Sequence, residues 1–432
     1  MVTIVKMFYN LLNFINNIKK NPYFVITVLP YALGTIADQL KTAQLITNKK
    51  LIIITPNIFQ KLLNYHISNT SIINDIIINH SNQNKYLLIK NFLTFILNIE
   101  FLIRRSTSLL LKNLFKIKLS EQNFFPEVGD YKQIYPPFIK KFNKKKNTDF
   151  LPKYDFNKIN VDFEEDKKIY CNKILNKYGL DINKEKIVCI HVRDPYYRSD
   201  FSRRLIRNSD INIYKKSIEF LIEKGFFVIR IGRISDQKLY KKKVVGYLDY
   251  SFMEEREDII DLYLIKKCHF YLSGSTSGPL DYAMYMHNKK CLILNNPRIF
   301  EAFPTNKYSR STLKKIFWKN NGNQINIEEY LNLPNRYHDP FFSCDDEIYY
   351  KDHSSEENLN ETKNYLDLLK SNNYYQSDIQ KKINYKIKKK LLDKYFNEKD
   401  NNIKNIWFHE LTNINNSSGC LSENYINTNL SN

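Results

Sequence analysis

Apolar runs alternate with periodically patterned polar segments along most of this chain, and the alternation predicts its strands and helices. In the N-terminal part, the β-branched run YFVITVL (residues 23–29) is followed by Gly34. The helically spaced IADQLKTAQLIT (36–47) and a second apolar run, KLIIITP (50–56), come next. This order of strand, glycine turn, helix and strand predicts a βαβ unit, which implies a parallel sheet.

A second series of strands and helices alternates without interruption over about 110 residues in the second half of the chain. The strand-like runs are KIVCIHV (186–192), FFVIRIG (226–232), CHFYLS (268–273) and KKCLILN (289–295). The helical segments are INIYKKSIEFLIEKG (211–225), EDIIDLYLIKK (257–267) and PLDYAMYM (279–286). This pattern predicts a doubly wound parallel sheet, in which ligands bind beyond the carboxyl ends of the strands.

Changes in composition predict the domain boundaries. Prolines and the run KKFNKKKNTDF break the pattern between residues 121 and 168, as is typical of a linker or a long surface loop. At 432 residues the chain is also too long for one compact domain. We therefore expect an α/β fold with two Rossmann-like doubly wound domains that face each other across a cleft. The predicted parts are an N-terminal acceptor-side domain with its linker (1–165), a nucleotide-binding domain (166–345), C-terminal helices (346–410) and a disordered polar tail (411–432).

The formal net charge of +21 favours anionic partners such as nucleotides or acidic lipids. The basic residues are spread along the whole chain and form no nucleic-acid-binding module, so we expect no nucleic-acid partner. The six cysteines include no C-x-x-C pair, which argues against a disulfide framework and a zinc site and favours a reduced, cytoplasmic setting. The segment LLIKNFLTFILNIEFLIRR (87–105) carries charged and amide residues and predicts an amphipathic helix. Peripheral contact of this helix with an anionic membrane stays open as an alternative.

The sequence SGSTSGP (273–279) joins an apolar strand to a helix that Pro279 opens at its first turn. Such a loop leaves backbone N–H groups available to an anion, beside the positive end of the helix dipole. Its glycines allow a ligand to approach the backbone closely, and its hydroxyls can donate to phosphate oxygens. We predict a diphosphate site here, with a tight turn that binds nothing as the alternative. The candidate binding residues are Gly274, Ser275, Thr276, Ser277 and Gly278.

The strand KIVCIHV runs into the sequence HVRD. Strand alternation places His191 and Arg193 on one face, with Val192 opposite. Arg193 can clamp a phosphate bidentately, and His191 or Asp194 can remove a proton from a substrate hydroxyl. The alternative is a buried Arg–Asp ion pair that holds a loop. Asp38, in the first turn of the N-terminal helix, is a further candidate base, with surface solvation as its alternative.

Two more basic clusters lie where strands end or helices begin. The first cluster, residues 203–210, comes just before the predicted helix 211–225. Ser209 or Asp210 is expected to cap this helix, which makes Asp210 structural rather than catalytic. In the second, at the end of FFVIRIG, a glycine permits close approach and two arginines add positive potential. A solvated loop is the alternative for this second cluster. The donor-binding candidates of the two clusters are Arg207, Asn208, Arg230, Gly232 and Arg233.

Several of these elements resemble a bacterial glycosyltransferase family known mainly by sequence. The elements are CIHVRD, YRSD with LIRNSDI, VIRIG, DIIDLYLIKKCHFYLSGSTSGP and CLILNNP. The resemblance covers about residues 185–300 well and the N-terminal βαβ unit weakly. The HVR element is also similar to the H-x-R element of fucosyltransferases, in which the arginine meets the donor's diphosphate. The resemblance points to His191, Arg193, Asp194, Arg207, Asn208, Asp210, Gly232, Ser275, Thr276, Ser277 and Gly278.

The clusters and the resemblance together favour a metal-independent glycosyltransferase of GT-B-like architecture. It would move a hexosyl or deoxyhexosyl group from a nucleotide-diphosphate donor to a glycan or lipid-linked acceptor in surface-polysaccharide biosynthesis. No D-x-D motif stands at a strand end, so we expect arginines and a helix dipole to neutralise the leaving diphosphate, with no metal and no cofactor. Two alternatives stay open: a nucleotide-sugar epimerase or other phosphate-handling enzyme, and a non-enzymatic basic protein at the membrane surface.

Overall fold

The computed structural model divides the chain into two compact units, Met1–Lys168 and Ile169–Asn432, and each unit is described by itself. The predicted amphipathic helix 87–105 lies, apart from four helical positions, outside the described residues. The YRSD element lies outside them as well. The structure describes residues 23–27, 33–46, 50–54, 76–78, 81–82, 92, 95–96, 99, 136–156, 161–194, 206–233, 237–333, 347–372 and 374–429.

In the first unit, strand β1 (Tyr23–Thr27), helix α1 (Leu33–Ile46) and strand β2 (Lys50–Ile54) form the predicted βαβ unit, and the two strands pair in parallel. Strand β3 (Ile76–Ile78) pairs antiparallel with two neighbours. These neighbours are β4 (Ser81–Asn82) and β5 (Val161–Phe163).

The segment predicted to be an irregular linker contains regular structure. Helix α2 (Pro136–Lys145) begins at a pair of prolines, which the first turn of a helix accepts because its N–H groups have no partner inside the helix. Phe142 of this helix is fully buried. The division between the units falls in helix α3 (Glu165–Lys177), which ends just ahead of Gly179.

The second unit contains a seven-stranded parallel sheet and its flanking helices. The sheet strands are β6 (Ile187–His191), β7 (Phe227–Arg230), β8 (Tyr247–Asp249), β9 (Phe270–Ser273), β10 (Cys291–Asn296), β11 (Arg310–Leu313) and β14 (Cys420–Leu421). Strands β12 (Lys315–Trp318) and β13 (Ile348–Lys351) form a separate antiparallel ribbon. The helices are α4 (Lys215–Glu223), α5 (Asp258–Lys267), α6 (Gly278–His287), α7 (Ile327–Asn332), α8 (Ser355–Ser371), α9 (Asp378–Asn397), α10 (Asn401–Asn416) and α11 (Glu423–Asn429).

The strand order of the sheet is β14-β11-β10-β9-β6-β7-β8, and every neighbouring pair is parallel. The chain enters at β6, adds β7 and β8 on one side, and then adds β9, β10 and β11 on the other. The direction of winding therefore reverses between β6 and β9, and such a switch point opens a crevice at the carboxyl ends of the two strands. The predicted α/β class and doubly wound sheet are confirmed here, whereas two domains facing across a cleft stay a prediction.

Helices cover both faces of this sheet. On one face, Val188, Ile190 and Val192 pack in a core with Leu221 of α4 and Tyr365 of α8. Helix α5 contacts β6, and helix α6 contacts β9. Right-handed crossovers that move in opposite directions along a sheet place their helices on opposite faces, so α6 covers the face opposite α4.

The polar tail predicted to be disordered (411–432) is ordered through Asn429, so this prediction is wrong. Strand β14 pairs in parallel with β11, and Cys420 and Leu421 are fully buried. Helix α11 buries Tyr425 and Ile426. A few apolar side chains are enough because the edge of the sheet supplies the hydrogen-bond partners for this short strand.

Candidate functional site

Three strand ends meet on the switch-point side of the sheet. His191 at the end of β6 lies in register with Ser273 at the end of β9, and the N–H of Gly274 donates to the carbonyl of His191 over 2.9 Å. Beyond β7, the N–H of Ile231 donates to the carbonyl of Ile190, also over 2.9 Å. The HVRD sequence, the 274–277 loop and the Gly232 turn are therefore neighbours, as their strand-end positions predicted.

The 274–277 loop leads directly into helix α6. Ser277 caps this helix by accepting a hydrogen bond from the N–H of Leu280 over 3.4 Å, and Pro279 occupies its first turn as predicted. Ser275 is 2% exposed and Thr276 is 8% exposed. Within the described part of the chain, the backbone N–H groups of Ser275, Thr276 and Ser277 donate to no backbone acceptor. The loop therefore presents three amide donors at the positive end of the helix dipole.

His191 packs against the glycine turn that follows β7. Gly232 has a φ of +119°, and a Cβ atom at this position would lie 2.9 Å from Cδ2 of His191. Burial, and then the charges of Arg193, Arg230 and Arg256, lower the pKa of His191 to about 3. At neutral pH the ring is uncharged and a weak proton acceptor. An anion bound beside these arginines would raise the pKa of His191.

Arg230 does not lie on an open face, and its role as a donor-binding residue stays a prediction. The residue is 1% exposed, and its guanidinium donates to the carbonyl of Gln237 over 2.6 Å. It also pairs with Asp249 over 3.3 Å and with Asp194 over 3.7 Å. The side chain reaches these partners because β8 supplies a carboxylate beside it in the sheet. The alternative of a buried Arg–Asp pair thus applies to Asp194, with Arg230 as its partner.

Arg256, which the sequence analysis missed, fixes the Gly232 turn. Its Nε donates to the carbonyl of Gly232 over 2.8 Å, and its Nη2 contacts Asp258 and, over 2.5 Å, Asp261. Burial raises the pKa of Asp261 to about 7, against the opposing effect of Arg256. Arg233 pairs with Asp258 over 3.3 Å. The acidic residues at the start of α5 (Asp258 and Asp261) are the sequence signal that could have located this cluster.

The segment 206–210 packs on the HVRD loop, because the N–H of Ser209 donates to the carbonyl of Arg193 over 2.9 Å. Asp210 caps the short helix Ile211–Tyr214 by accepting from the N–H of Asn212 over 2.9 Å, which confirms its predicted capping role. Arg207 pairs with Glu301 over 3.5 Å.

Glu301, a second residue that the sequence analysis missed, connects this segment to the 274–277 loop. Its carboxylate pairs with Arg298 over 2.6 Å and with Arg207, and the side chain of Thr276 helps to lower its pKa. Burial raises the pKa of Glu301, but the two arginines outweigh burial and lower it to about 2. The site therefore contains a carboxylate that is ionised at neutral pH next to its arginines.

Buried polar atoms around the crevice that have no hydrogen-bond partner among the described residues include one from each of four segments. The segments are the end of β6, the segment 206–210, the 274–277 loop and the end of β10. Buried polar groups in natural proteins are nearly always paired, so a cluster of unpaired ones indicates a place where a polar ligand or water binds. The atoms are His191 Nδ1, Asn208 Oδ1, Ser275 Oγ and Asn296 Nδ2.

Asp38 lies in the first unit, on helix α1. Its carboxylate pairs with the fully buried Lys41 over 2.5 Å, so it is engaged within its own helix rather than only solvated. Its position across a cleft from His191 stays a prediction. No cluster of three or more metal-ligating side chains occurs among the described residues, and none of the described helices is long and apolar enough to cross a membrane.

Comparisons with known proteins give one structural likeness. No family model matches the chain, and no curated protein matches it in sequence. Among solved structures, the chain is similar to the crystal structure of the glycosyl transferase family 9 from Veillonella parvula, with a TM-score of 0.38 and 8% identity. The match covers 80% of this chain and 97% of that one. At so low a TM-score the likeness carries no weight, and the function is argued from the site.

Proposed function

We propose that the protein is a glycosyltransferase that takes a hexosyl or deoxyhexosyl group from a nucleoside-diphosphate donor. The observation that carries the proposal is the 274–277 loop at the switch point of the sheet. Among the described residues, three amide N–H groups without a backbone acceptor, the Ser275 hydroxyl without a hydrogen-bond partner and the start of α6 meet there. Backbone N–H groups at a helix N-terminus bind phosphate, and the switch point of a doubly wound sheet is where nucleotides bind.

The charges around the loop suit a leaving diphosphate. Arg193 and Arg256 both act on the His191 side of the crevice, as their effect on the pKa of His191 indicates, and Arg233 pairs with Asp258 nearby. In a water-poor site, fixed positive charges stabilise the negative charge that develops on the leaving group. We propose that these arginines and the dipole of α6 perform this role without a metal.

The proton of the acceptor hydroxyl needs a base. Asp194 shares Arg230 with Asp249, and its carboxylate can accept a proton. His191 becomes a competent base only when the bound diphosphate offsets the neighbouring arginines. Asp38 is the third candidate. We propose a glycan or lipid-linked acceptor and a cytoplasmic role in surface-polysaccharide biosynthesis, with the basic surface in peripheral contact with an anionic membrane.

The test is a titration with UDP, GDP, ADP, TDP, CMP and NAD, with and without Mg²⁺, followed by a transfer assay with sugar derivatives of the best ligand. One nucleoside diphosphate should stabilise the protein selectively, and Arg193→Ala or Thr276→Ala should abolish the effect. Lys243→Ala, which removes an exposed charge from the turn before β8, is the control and should bind normally. If none of these nucleotides binds, the proposal is wrong.

A nucleotide-sugar epimerase is the second candidate. The order β8-β7-β6-β9-β10-β11 is also that of dinucleotide-binding sheets. The sequence HVRDPYYRSD, which begins with the last residue of β6, lacks the glycine fingerprint of those sheets, which favours the transferase. Binding of NAD and interconversion of sugar epimers without an acceptor would favour the epimerase instead.

A further inference from the structure

Two hydroxyl groups from the protein interior bind consecutive carbonyl groups of the 274–277 loop. The phenol of Tyr214 contacts the carbonyl of Gly274 over 3.2 Å, and Oγ of Ser273 donates to the carbonyl of Ser275 over 2.5 Å. Both Tyr214 and Ser273 are fully buried. Gly274 fits closely over the phenol, because a Cβ atom there would lie 2.9 Å from Oη of Tyr214.

These two contacts set the direction of the amide donors that follow. In a planar trans peptide, the C=O of one residue and the N–H of the next point in opposite directions, and no described peptide bond is cis. A Gly274 carbonyl that points to Tyr214 turns the N–H of Ser275 away from it. In the same way, a Ser275 carbonyl that points to Ser273 turns the N–H of Thr276 outward. Successive N–H groups held in this way form an anion-binding concavity.

The hydroxyl of Tyr214 has one hydrogen, and its neighbours determine which groups that hydrogen binds. Ser209 has one hydroxyl hydrogen, and it goes to the carboxylate of Asp352 over 2.8 Å, because an ionised carboxylate only accepts. The amide of Asn295 donates to Oη of Tyr214 over 2.9 Å. The single hydrogen of Tyr214 is therefore shared between the carbonyl of Gly274 and, over 3.0 Å, the Oγ of Ser209.

We propose that Tyr214 and Ser273 are positioning residues that aim the amide donors of the 274–277 loop at the diphosphate of the ligand. This inference rests on the proposed function and deepens it. Neither side chain needs to touch the ligand, because each acts through a backbone carbonyl. Removal of Ser209 Oγ leaves the hydrogen of Tyr214 entirely to Gly274, so Ser209 belongs to the same buried network without being needed to aim the loop.

The experiment is isothermal titration of Tyr214→Phe, Ser273→Ala and Ser209→Ala with the nucleoside diphosphate that binds best in the panel above. Inorganic pyrophosphate and the parent nucleoside serve as additional probes. Tyr214→Phe and Ser273→Ala should each weaken binding of the nucleoside diphosphate and of pyrophosphate by about 3- to 10-fold, the effect of one hydrogen bond. Nucleoside affinity should not change. Ser209→Ala should bind both anions within about 2-fold of the wild type, although it too loses a buried hydrogen bond and stability.

Wild-type affinity in Tyr214→Phe and Ser273→Ala overturns the inference while the proposed function stands. Equal weakening in all three variants, in proportion to their loss of stability, also overturns it, because it would show a general structural effect. If Tyr214→Phe does not fold, the comparison of diphosphate affinity between Ser273→Ala and Ser209→Ala tests the inference. A wild-type protein that binds none of the diphosphates refutes the proposed function, and this inference falls with it.

Discussion

Replacement of Gly232 by alanine tests the contact between the glycine turn and His191. At a φ of +119°, a side chain strains the backbone by about 1–2 kcal/mol. The new Cβ atom would also lie 2.9 Å from Cδ2 and 3.2 Å from Nε2 of His191, and overpacking of this kind costs a further ~1–3 kcal/mol. Gly232→Ala should therefore lower the free energy of unfolding by about 2–5 kcal/mol.

Gly179→Ala is the matched control, because Gly179 has a φ of +80° with no atom within 4 Å of the added Cβ. Its free energy of unfolding should fall only by the cost of the backbone strain, about 1–2 kcal/mol. Urea unfolding followed by tryptophan fluorescence reports on the second unit, since Trp318 and Trp407 both lie in it. In a double-mutant cycle, the overpacking cost of ~1–3 kcal/mol should disappear when Gly232→Ala is introduced into the His191→Ala protein, which leaves only the cost of the backbone strain. Equal losses for the two glycine variants, or no coupling to His191, would refute the reasoning.

Three further measurements follow from the site and the core. Arg230→Met should lower the free energy of unfolding by about 3–5 kcal/mol, because it removes the buried guanidinium that pairs with the carboxylates of Asp194 and Asp249. Arg233→Met, at a more exposed ion pair, should cost about 1 kcal/mol or less, and equal urea midpoints for the two variants would contradict this. The pKa of His191 is about 3 in the folded protein and ordinarily 6.5. The unfolded state therefore binds a proton more readily as the pH falls from 6.5 towards 3, and over this range the folded state loses stability that it keeps in full above pH 6.5. His191→Asn should flatten the fall of stability between pH 6.5 and pH 4.5, and parallel curves for variant and wild type would count against the burial of a neutral ring. In Cys344→Ala protein, a thiol reagent should find no fast-reacting cysteine until unfolding exposes the five buried ones, and rapid modification before unfolding would show that the sheet core is open.

Local features of the site could be predicted from the sequence. The 274–277 loop, the Pro279 helix start and the Asp210 cap depend on residues only a few positions apart, so short-range rules find them. The order of strands and helices around the sheet follows from hydrophobic periodicity in the same way.

Features that depend on distant partners could not be predicted. Arg230 reads as a surface cation in VIRIG, and only the pairing of β6, β7 and β8 brings Asp194 and Asp249 to it. Tyr214 reads as an ordinary core aromatic until the fold brings Gly274, 60 residues away, to its hydroxyl. Strand β14 reads as part of a polar tail because its partner, β11, lies more than 100 residues earlier in the chain.

The measurement that tests the central claim most directly is photoaffinity labelling with the best nucleoside diphosphate, carrying its photoreactive group on the terminal phosphate. Labelled peptides identified by mass spectrometry should contain residues 191–194 or 274–280, and excess unlabelled diphosphate should abolish the labelling. Labelling confined to peptides of the first unit, or labelling that excess diphosphate does not reduce, would contradict a donor site at the switch point of the sheet.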